Sequence, residues 1–199
     1  MFLRILVTVF SGLIFLFSFW KKLREDYTHT QIFTTGFYAI AGAALGAIIS
    51  DNFFPEWWFW MGLLGSFLGL FTGIVRFKLR IFETFESFVF GALFVITLIF
   101  AYHWYANSSL SIGIGLFVLV LLILFFMVLD KHYKRFTWYR SGRVGFTGLS
   151  VFGIFFLIRA AVAAILPDVL SFVGNIETIL SGVISFIAFL TVFNLARRT

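Results

Sequence analysis

The chain has 199 residues, of which 61% are hydrophobic and 12% are charged, and this leaves too little polar surface to cover a soluble globule. It contains no cysteine, which excludes disulfides, thiolate zinc sites and cysteine nucleophiles. The net charge of +6 does not indicate nucleic-acid binding, because the cations lie in short segments beside apolar runs. The composition therefore predicts a polytopic membrane protein.

Seven apolar runs are each long enough to cross a hydrocarbon core of about 30 Å. Backbone groups in lipid must bond within their own segment, so each run is predicted to be a helix of an all-α, single-domain protein over residues 1–199. In chain order the runs are 5–20, 32–50, 57–75, 81–104, 110–129, 145–166 and 178–196. Segment 167–177, PDVLSFVGNIE, is predicted to lie along the outer surface as a short amphipathic helix.

The distribution of positive charge predicts the orientation of the chain. All of the 15 Lys and Arg residues except Arg4 and Arg159 follow the first, third, fifth or seventh run. Lys and Arg near the ends of membrane helices stay on the cytoplasmic side. The N-terminus is therefore predicted to lie outside and the C-terminus in the cytoplasm.

The densest positive charge lies between the fifth and sixth runs. Each cation beside an anionic membrane surface contributes on the order of 1 kcal/mol to binding. These cations are therefore candidate ligands for lipid headgroups, with a topology signal alone as the alternative. They are Lys131, Lys134, Arg135, Arg140 and Arg143.

Arg159 is the cation placed deepest inside an apolar run. At 1.5 Å per helical residue it lies roughly 21 Å from the loop side of the bilayer and about 10 Å from the outer side. An arginine at such depth costs about 2.5 kcal/mol or more, so it indicates a site. Three hypotheses remain open: it snorkels outward, it pairs with Asp168 or Glu177, or it binds a lipid phosphate through its planar fork.

Glycines recur every four residues on two successive runs. Such stripes allow membrane helices to approach closely, and the alternative is a groove that admits a lipid tail. The glycines are Gly42 and Gly46 on the second run, and Gly65, Gly69 and Gly73 on the third.

Few side chains suit acid–base chemistry. His103 is the histidine on the predicted outer side, where it is a candidate general base or a member of an interfacial aromatic girdle. Glu83 and Glu86 are interpreted as anions at a helix N-terminus that face nearby cations. His29 and His132 lack metal-ligand spacing, so neither a metal nor a cofactor is predicted.

Three stretches are similar to helices of the prolipoprotein diacylglyceryl transferase family: GFYAIAGAALGAIIS at 36–50, the segment 57–88 that begins WWFWMGLLGS, and the segment 138–160 that contains SGRVGFTGL. The resemblance implies seven helices in the bacterial cytoplasmic (inner) membrane, with the N-terminus outside. It also implies binding of anionic phospholipid and transfer of diacylglyceryl from phosphatidylglycerol to the cysteine of a lipoprotein precursor. Arg159 matches a family arginine and Tyr38 matches an early tyrosine, whereas Met61 and Ala163 replace a family histidine and a family acid.

The leading hypothesis is therefore a divergent diacylglyceryl-transferase-like protein that holds a phospholipid among the second, third and sixth helices. If it is catalytic, Tyr38 and His103 are the candidate catalytic residues. The alternatives are a non-catalytic protein that binds lipid or a partner helix, and a small transporter. A retinal protein is excluded because no Lys lies inside any run to form a Schiff base.

Overall fold

The computed structural model describes residues 2–135, 144–165, 173 and 175–197, except the side chains at 2, 4 and 135. Every regular element in these ranges is helical, and seven of the helices are long and apolar enough to cross a membrane. They are α1 (Phe2–Leu23), α2 (His29–Phe53), α3 (Trp58–Phe77), α4 (Ile81–Asn107), α5 (Leu110–His132), α6 (Phe146–Ile165) and α7 (Asn175–Arg197). The all-α fold and the seven spans are confirmed, and the sides of the termini stay a prediction.

Most helices extend past the apolar runs that predicted them. Before α2, the backbone N–H of Thr28 donates to Oε1 of Gln31 at 3.1 Å, so the helix begins at His29 rather than at residue 32. After α3, Lys78 takes the left-handed conformation, with φ of 53°, and ends the helix. The apolar pattern of a run ends at its first polar residue, whereas the hydrogen bonds of the helix backbone continue past that residue.

The chain forms two compact units, Met1–Gly91 and Ala92–Thr199. The boundary falls inside α4, whose first part belongs to the first unit and whose second part belongs to the second. The single domain over 1–199 stays a prediction.

In the first unit, α2 and α3 pack with their backbones in direct contact. A Cβ atom added to Gly42 would lie 2.1 Å from the carbonyl oxygen of Gly65, and one added to Gly65 would lie equally close to Gly42. Further along, a Cβ at Gly46 would lie 2.0 Å from the carbonyl oxygen of Met61. Only glycine permits this approach, which brings many atoms of the two helices into van der Waals contact.

Aromatic rings hold α1 against the first part of α4 in the same unit. Phe15 stacks on Phe19 with ring centroids 5.6 Å apart and meets Phe88 edge-on at 5.9 Å. A Cβ at Gly91 would come within 2.8 Å of the Phe15 ring, so the small residue makes room for it. Offset and edge-on pairs of this kind add roughly 0.5–1.5 kcal/mol beyond their buried area.

In the second unit, α6 and α7 pack through a mixed apolar and polar interface. The hydroxyl of Ser185 donates to the carbonyl oxygen of Gly153 at 2.8 Å. The ring of Phe189 covers the same glycine, and a Cβ added there would lie 3.1 Å from it. A hydroxyl that bonds across two helices satisfies its own polarity in lipid and fixes their register.

Candidate functional site

Arg159 on α6 and Glu177 on α7 form a buried ion pair in the second unit. Nε of Arg159 donates to Oε1 of Glu177 at 2.5 Å, and the two side chains are 8% and 0% exposed. A carboxylate beside a guanidinium in a medium of low dielectric offsets the cost of burying either charge alone. Of the three hypotheses for Arg159, the structure shows the pairing with Glu177; Asp168 lies outside the described residues.

The pair continues into a polar stripe along α7. Ser181 and Ser185 follow Glu177 at intervals of one helical turn, and both are buried. Ser185 bonds to Gly153, whereas the Ser181 hydroxyl has no hydrogen-bond partner among the described residues. The stripe faces α6, so these polar groups serve the interface between the two helices.

The ion pair bears on the predicted headgroup role of Arg159. A lipid phosphate would bind through the same N–H groups that a carboxylate uses, because both anions match the guanidinium fork. One of these groups, Nε, is already bonded to Glu177. The geometry therefore makes Arg159 a link between α6 and α7, and its binding of a lipid phosphate stays a prediction.

The predicted cationic loop is described only at its beginning. Lys131 and Lys134 are exposed at the end of α5, and Nζ of Lys134 lies 5.8 Å from the ring centroid of the buried Tyr133. The side chain of Arg135 is not described, and Arg140 and Arg143 lie outside the described residues. The headgroup role of these cations stays a prediction.

The two candidate catalytic residues occupy different units. Tyr38 lies half-buried on α2 in the first unit, and its hydroxyl accepts a hydrogen bond from Nη1 of Arg76. His103 is exposed near the end of α4 in the second unit, where its ring meets Tyr102 edge-on at 5.5 Å. The catalytic role of both residues stays a prediction.

The glycine stripe predicted as a lipid groove is occupied along its length by atoms of the facing helix. Besides the contacts of Gly42, Gly46 and Gly65, a Cβ at Gly69 would lie 2.0 Å from the carbonyl oxygen of Tyr38, and one at Gly73 would lie 2.5 Å from Thr35. Close packing of α2 on α3 accounts for all five glycines. A lipid tail along the stripe stays a prediction.

Glu83 and Glu86 lie in two separate polar contacts at the start of α4. Glu83 accepts hydrogen bonds from Arg80 Nη1 at 2.8 Å and from the Tyr27 hydroxyl at 3.0 Å. Glu86 is 4% exposed and lies 3.4 Å from Nζ of Lys22. The interpretation of these carboxylates as partners of neighbouring cations agrees with these contacts. Through Lys22 and Tyr27 they join the end of α1 and the segment after it to the start of α4.

Tyr27 joins this contact to the turn before α4. Its hydroxyl accepts a hydrogen bond from the backbone N–H of Arg80 at 3.0 Å and donates to Glu83. Burial raises the pKa of the Tyr27 hydroxyl above its ordinary value of 10.0, and the carboxylate of Glu83 raises it further. The phenol is therefore neutral at physiological pH and acts as a structural donor.

Comparison with known proteins assigns no function to this site. No protein-family model, curated protein or solved structure matches the chain. The resemblance to the diacylglyceryl transferases therefore stays a prediction.

A cation lies over an aromatic ring at the C-terminal end of each odd-numbered helix. The distances to the ring centroid lie within the range of cation–π attraction. The pairs are Arg24 with Trp20 at 5.4 Å at the end of α1, Arg76 with Phe77 at 5.6 Å at the end of α3, Lys134 with Tyr133 at 5.8 Å in the turn directly after α5, and Arg197 with Phe193 at 4.3 Å at the end of α7. Such cation and aromatic pairs are typical of the headgroup level of a membrane.

Sequence reasoning missed the contact of Arg76 with Tyr38. The two residues are far apart in the chain, and Arg76 was interpreted only as one of the cations that indicate topology. The glycine stripes were the signal that could have found it, because pairing Thr35 with Gly73 places the end of α3 beside the first turns of α2.

Proposed function

We propose that this chain is an integral membrane protein that binds anionic phospholipid at its cationic helix ends, as a divergent relative of the prolipoprotein diacylglyceryl transferases. We place it in the bacterial cytoplasmic membrane with the N-terminus outside. The observation that carries the proposal is the cation stacked on an aromatic ring at the ends of α1, α3, α5 and α7. The topology predicted from the positive charge assigns these four ends to the cytoplasm.

Anionic headgroups suit these pairs for a physical reason. The aromatic ring sits at the boundary between hydrocarbon and water, and it holds the cation at the level of the lipid phosphates. Each such cation adds about 1 kcal/mol to the attraction of an anionic surface. The helix ends predicted to lie on the opposite side contain the acids Asp51 and Glu56, which do not attract an anionic membrane surface.

The geometry of Arg159 favours the non-catalytic form of this proposal. In the transferase form, Arg159 would hold the phosphate of the donor lipid. Its bond to Glu177 gives the guanidinium an internal anion instead. The transferase form is retained as the second candidate because Tyr38, the residue that the resemblance marks, has its phenol beside the cation of Arg76.

Competitive lipid retention tests the proposal. Protein purified from an equal mixture of phosphatidylglycerol and phosphatidylcholine should retain the anionic lipid preferentially, as read by native mass spectrometry. Changing Lys131 and Lys134 together to Gln should weaken that preference by roughly thirtyfold, from about 1 kcal/mol for each cation. The matched control is Asp51→Asn with Glu56→Gln, which should not weaken it. Equal retention of both lipids by the unaltered protein would contradict the proposal.

A further inference from the structure

Arg76 and Tyr38 form a polar group on the surface shared by α2 and α3. Nη1 of Arg76 donates to the Tyr38 hydroxyl, and the guanidinium lies 5.9 Å from the Tyr38 ring centroid and 5.6 Å from that of Phe77. Arg76 is exposed and Tyr38 is half-buried. The two rings and the phenol therefore hold an arginine side chain in place on the exposed surface of the two helices.

The direction of both side chains sets the depth of this group. Thr35 and Gly73 meet where the antiparallel helices pack, so the Cα atoms of Tyr38 and Arg76 lie about 4.5 Å to either side of that level at 1.5 Å per residue. Side chains lean toward the N-terminus of their own helix. Tyr38 thus leans toward the end of α3, and Arg76 leans back toward the middle of the span instead of out to water.

The pair of Arg76 and Tyr38 has more hydrogen-bond donors than acceptors. Among the described residues, Arg76 makes no ion pair with a carboxylate, and its one hydrogen bond goes to Tyr38. The guanidinium has five N–H donors, so several of them remain available to a ligand. The Tyr38 hydroxyl accepts the bond from Arg76, which leaves its own proton to be donated.

We propose that Arg76 and Tyr38 form a binding site for the phosphate of an anionic phospholipid, in the leaflet on the side where α3 ends. The guanidinium supplies two parallel N–H groups and the positive charge, and the phenol supplies a third donor. Arg76 is the next-to-last residue of α3, so the site lies near the end of that helix. The exposed Phe37, Phe71 and Val75 offer apolar surface to the acyl chains.

The inference rests on the proposed function and assigns one site to it. It differs from the headgroup role predicted for Arg159, because Arg159 is buried and bonded to Glu177 whereas Arg76 is exposed. In this site Tyr38 binds the lipid phosphate and needs no catalytic role.

Native mass spectrometry with phosphatidylglycerol and phosphatidylcholine as probes tests the site in the full chain. Arg76→Gln should lower retention of phosphatidylglycerol about tenfold, which corresponds to losing one charge-assisted bond. Tyr38→Phe should lower it roughly threefold, since a neutral donor contributes less. Arg76→Lys should fall between the wild type and Gln, because an ammonium keeps the charge without the fork. Retention of phosphatidylcholine should not change in any variant.

Lys21→Gln is the matched control, since it removes one exposed cation at the end of an odd-numbered helix that is not one of the four cations lying over a ring. Unchanged phosphatidylglycerol retention in both Arg76→Gln and Tyr38→Phe, with the wild type still selective, would overturn the site and leave the proposed function standing. An equal loss in Lys21→Gln would also overturn it. A wild type that does not select phosphatidylglycerol over phosphatidylcholine would instead contradict the proposed function itself.

Two further experiments are needed. The first distinguishes a lipid-binding site from a purely structural contact between α2 and α3, and the second distinguishes bound phospholipid from free phosphate. If Arg76 only ties α2 to α3, Arg76→Gln should lower the thermal midpoint and leave the ratio of the two lipids unchanged, which would overturn the site. If Arg76→Gln does not fold, the lipid ratio of Arg76→Lys decides the matter. Displacement of bound phosphatidylglycerol by excess inorganic phosphate would assign the site to free phosphate and overturn the lipid assignment; persistence of the lipid supports it.

Discussion

Nε of Arg159 donates to Oε1 of Glu177 across 2.5 Å between two membrane-spanning helices, with 8% and 0% of the side chains exposed. Both side chains are therefore largely removed from solvent. The energy of each depends on the other, because a lone ion in low dielectric carries an uncompensated desolvation cost. The pair therefore couples the position of α6 to that of α7.

We expect single changes at this pair to be severe and the double change to be mild. Arg159→Leu or Glu177→Leu alone should destabilise the protein by about 3–5 kcal/mol, because each leaves a buried charge. The double variant should recover most of that loss, as a double-mutant cycle of thermal unfolding in detergent would measure. Costs that add across the two sites would mean that the residues act independently.

The crossing of α2 on α3 should tolerate no added methyl group. Gly42→Ala would place a Cβ 2.1 Å from the carbonyl oxygen of Gly65, and a backbone atom cannot move aside without shifting the helix. We expect a loss of about 1–3 kcal/mol, the usual cost of overpacking. Gly62→Ala is the control, because its Cβ would lie 3.9 Å from the nearest atom. Equal thermal midpoints for the two variants would contradict the close crossing.

Tyr27 should make stability depend on pH in the alkaline range. Burial raises the pKa of its hydroxyl in the folded protein above the ordinary 10.0. The contribution is therefore fully present below pH 10.0 and is lost as the pH rises through the folded pKa. Thermal unfolding above pH 10 should show this loss in the wild type and a smaller loss in Tyr27→Phe, which cannot ionise. The same alkaline slope in both proteins would assign the effect to other groups.

Reporter fusions test the orientation that the cations predict. Fusions at Asn107 and Pro167 should report the outside, and fusions at Arg24, Lys78 and Arg140 should report the cytoplasm. The reason is that helix ends rich in Lys and Arg are not translocated. A cytoplasmic signal at Asn107 would overturn the orientation.

Diacylglyceryl transfer should be slow or absent. With phosphatidylglycerol and a lipobox peptide as substrates, the purified protein should form little or no product. Met61 stands where the proposed resemblance would require a histidine, and Arg159 is bonded to Glu177. Mass spectrometry of the peptide thiol would detect the product. Robust turnover would contradict this expectation, and comparison of Tyr38→Phe with His103→Ala would then show which residue carries the chemistry.

Local pattern was enough to predict the helices. Each span was found from its apolar run, because hydrocarbon demands both apolar side chains and internal backbone bonds. The ends were less accurate: α2 begins at His29 and α5 continues to His132, since terminal polar turns add helical bonds outside the hydrocarbon. The glycine spacing of α2 and α3 also predicted close packing, because a stripe of small residues permits close approach whichever helix packs against it.

By itself the sequence determined that this is an all-helical protein with seven potential spans, that its charge is asymmetric, and that Arg159 lies too deep to be without consequence. Only the tertiary structure decided that Glu177 is its partner and that Arg76 bonds to Tyr38. The physical reason is range. Helix formation in lipid depends on neighbours within one segment, whereas the partner of a polar side chain depends on the register between segments distant in sequence.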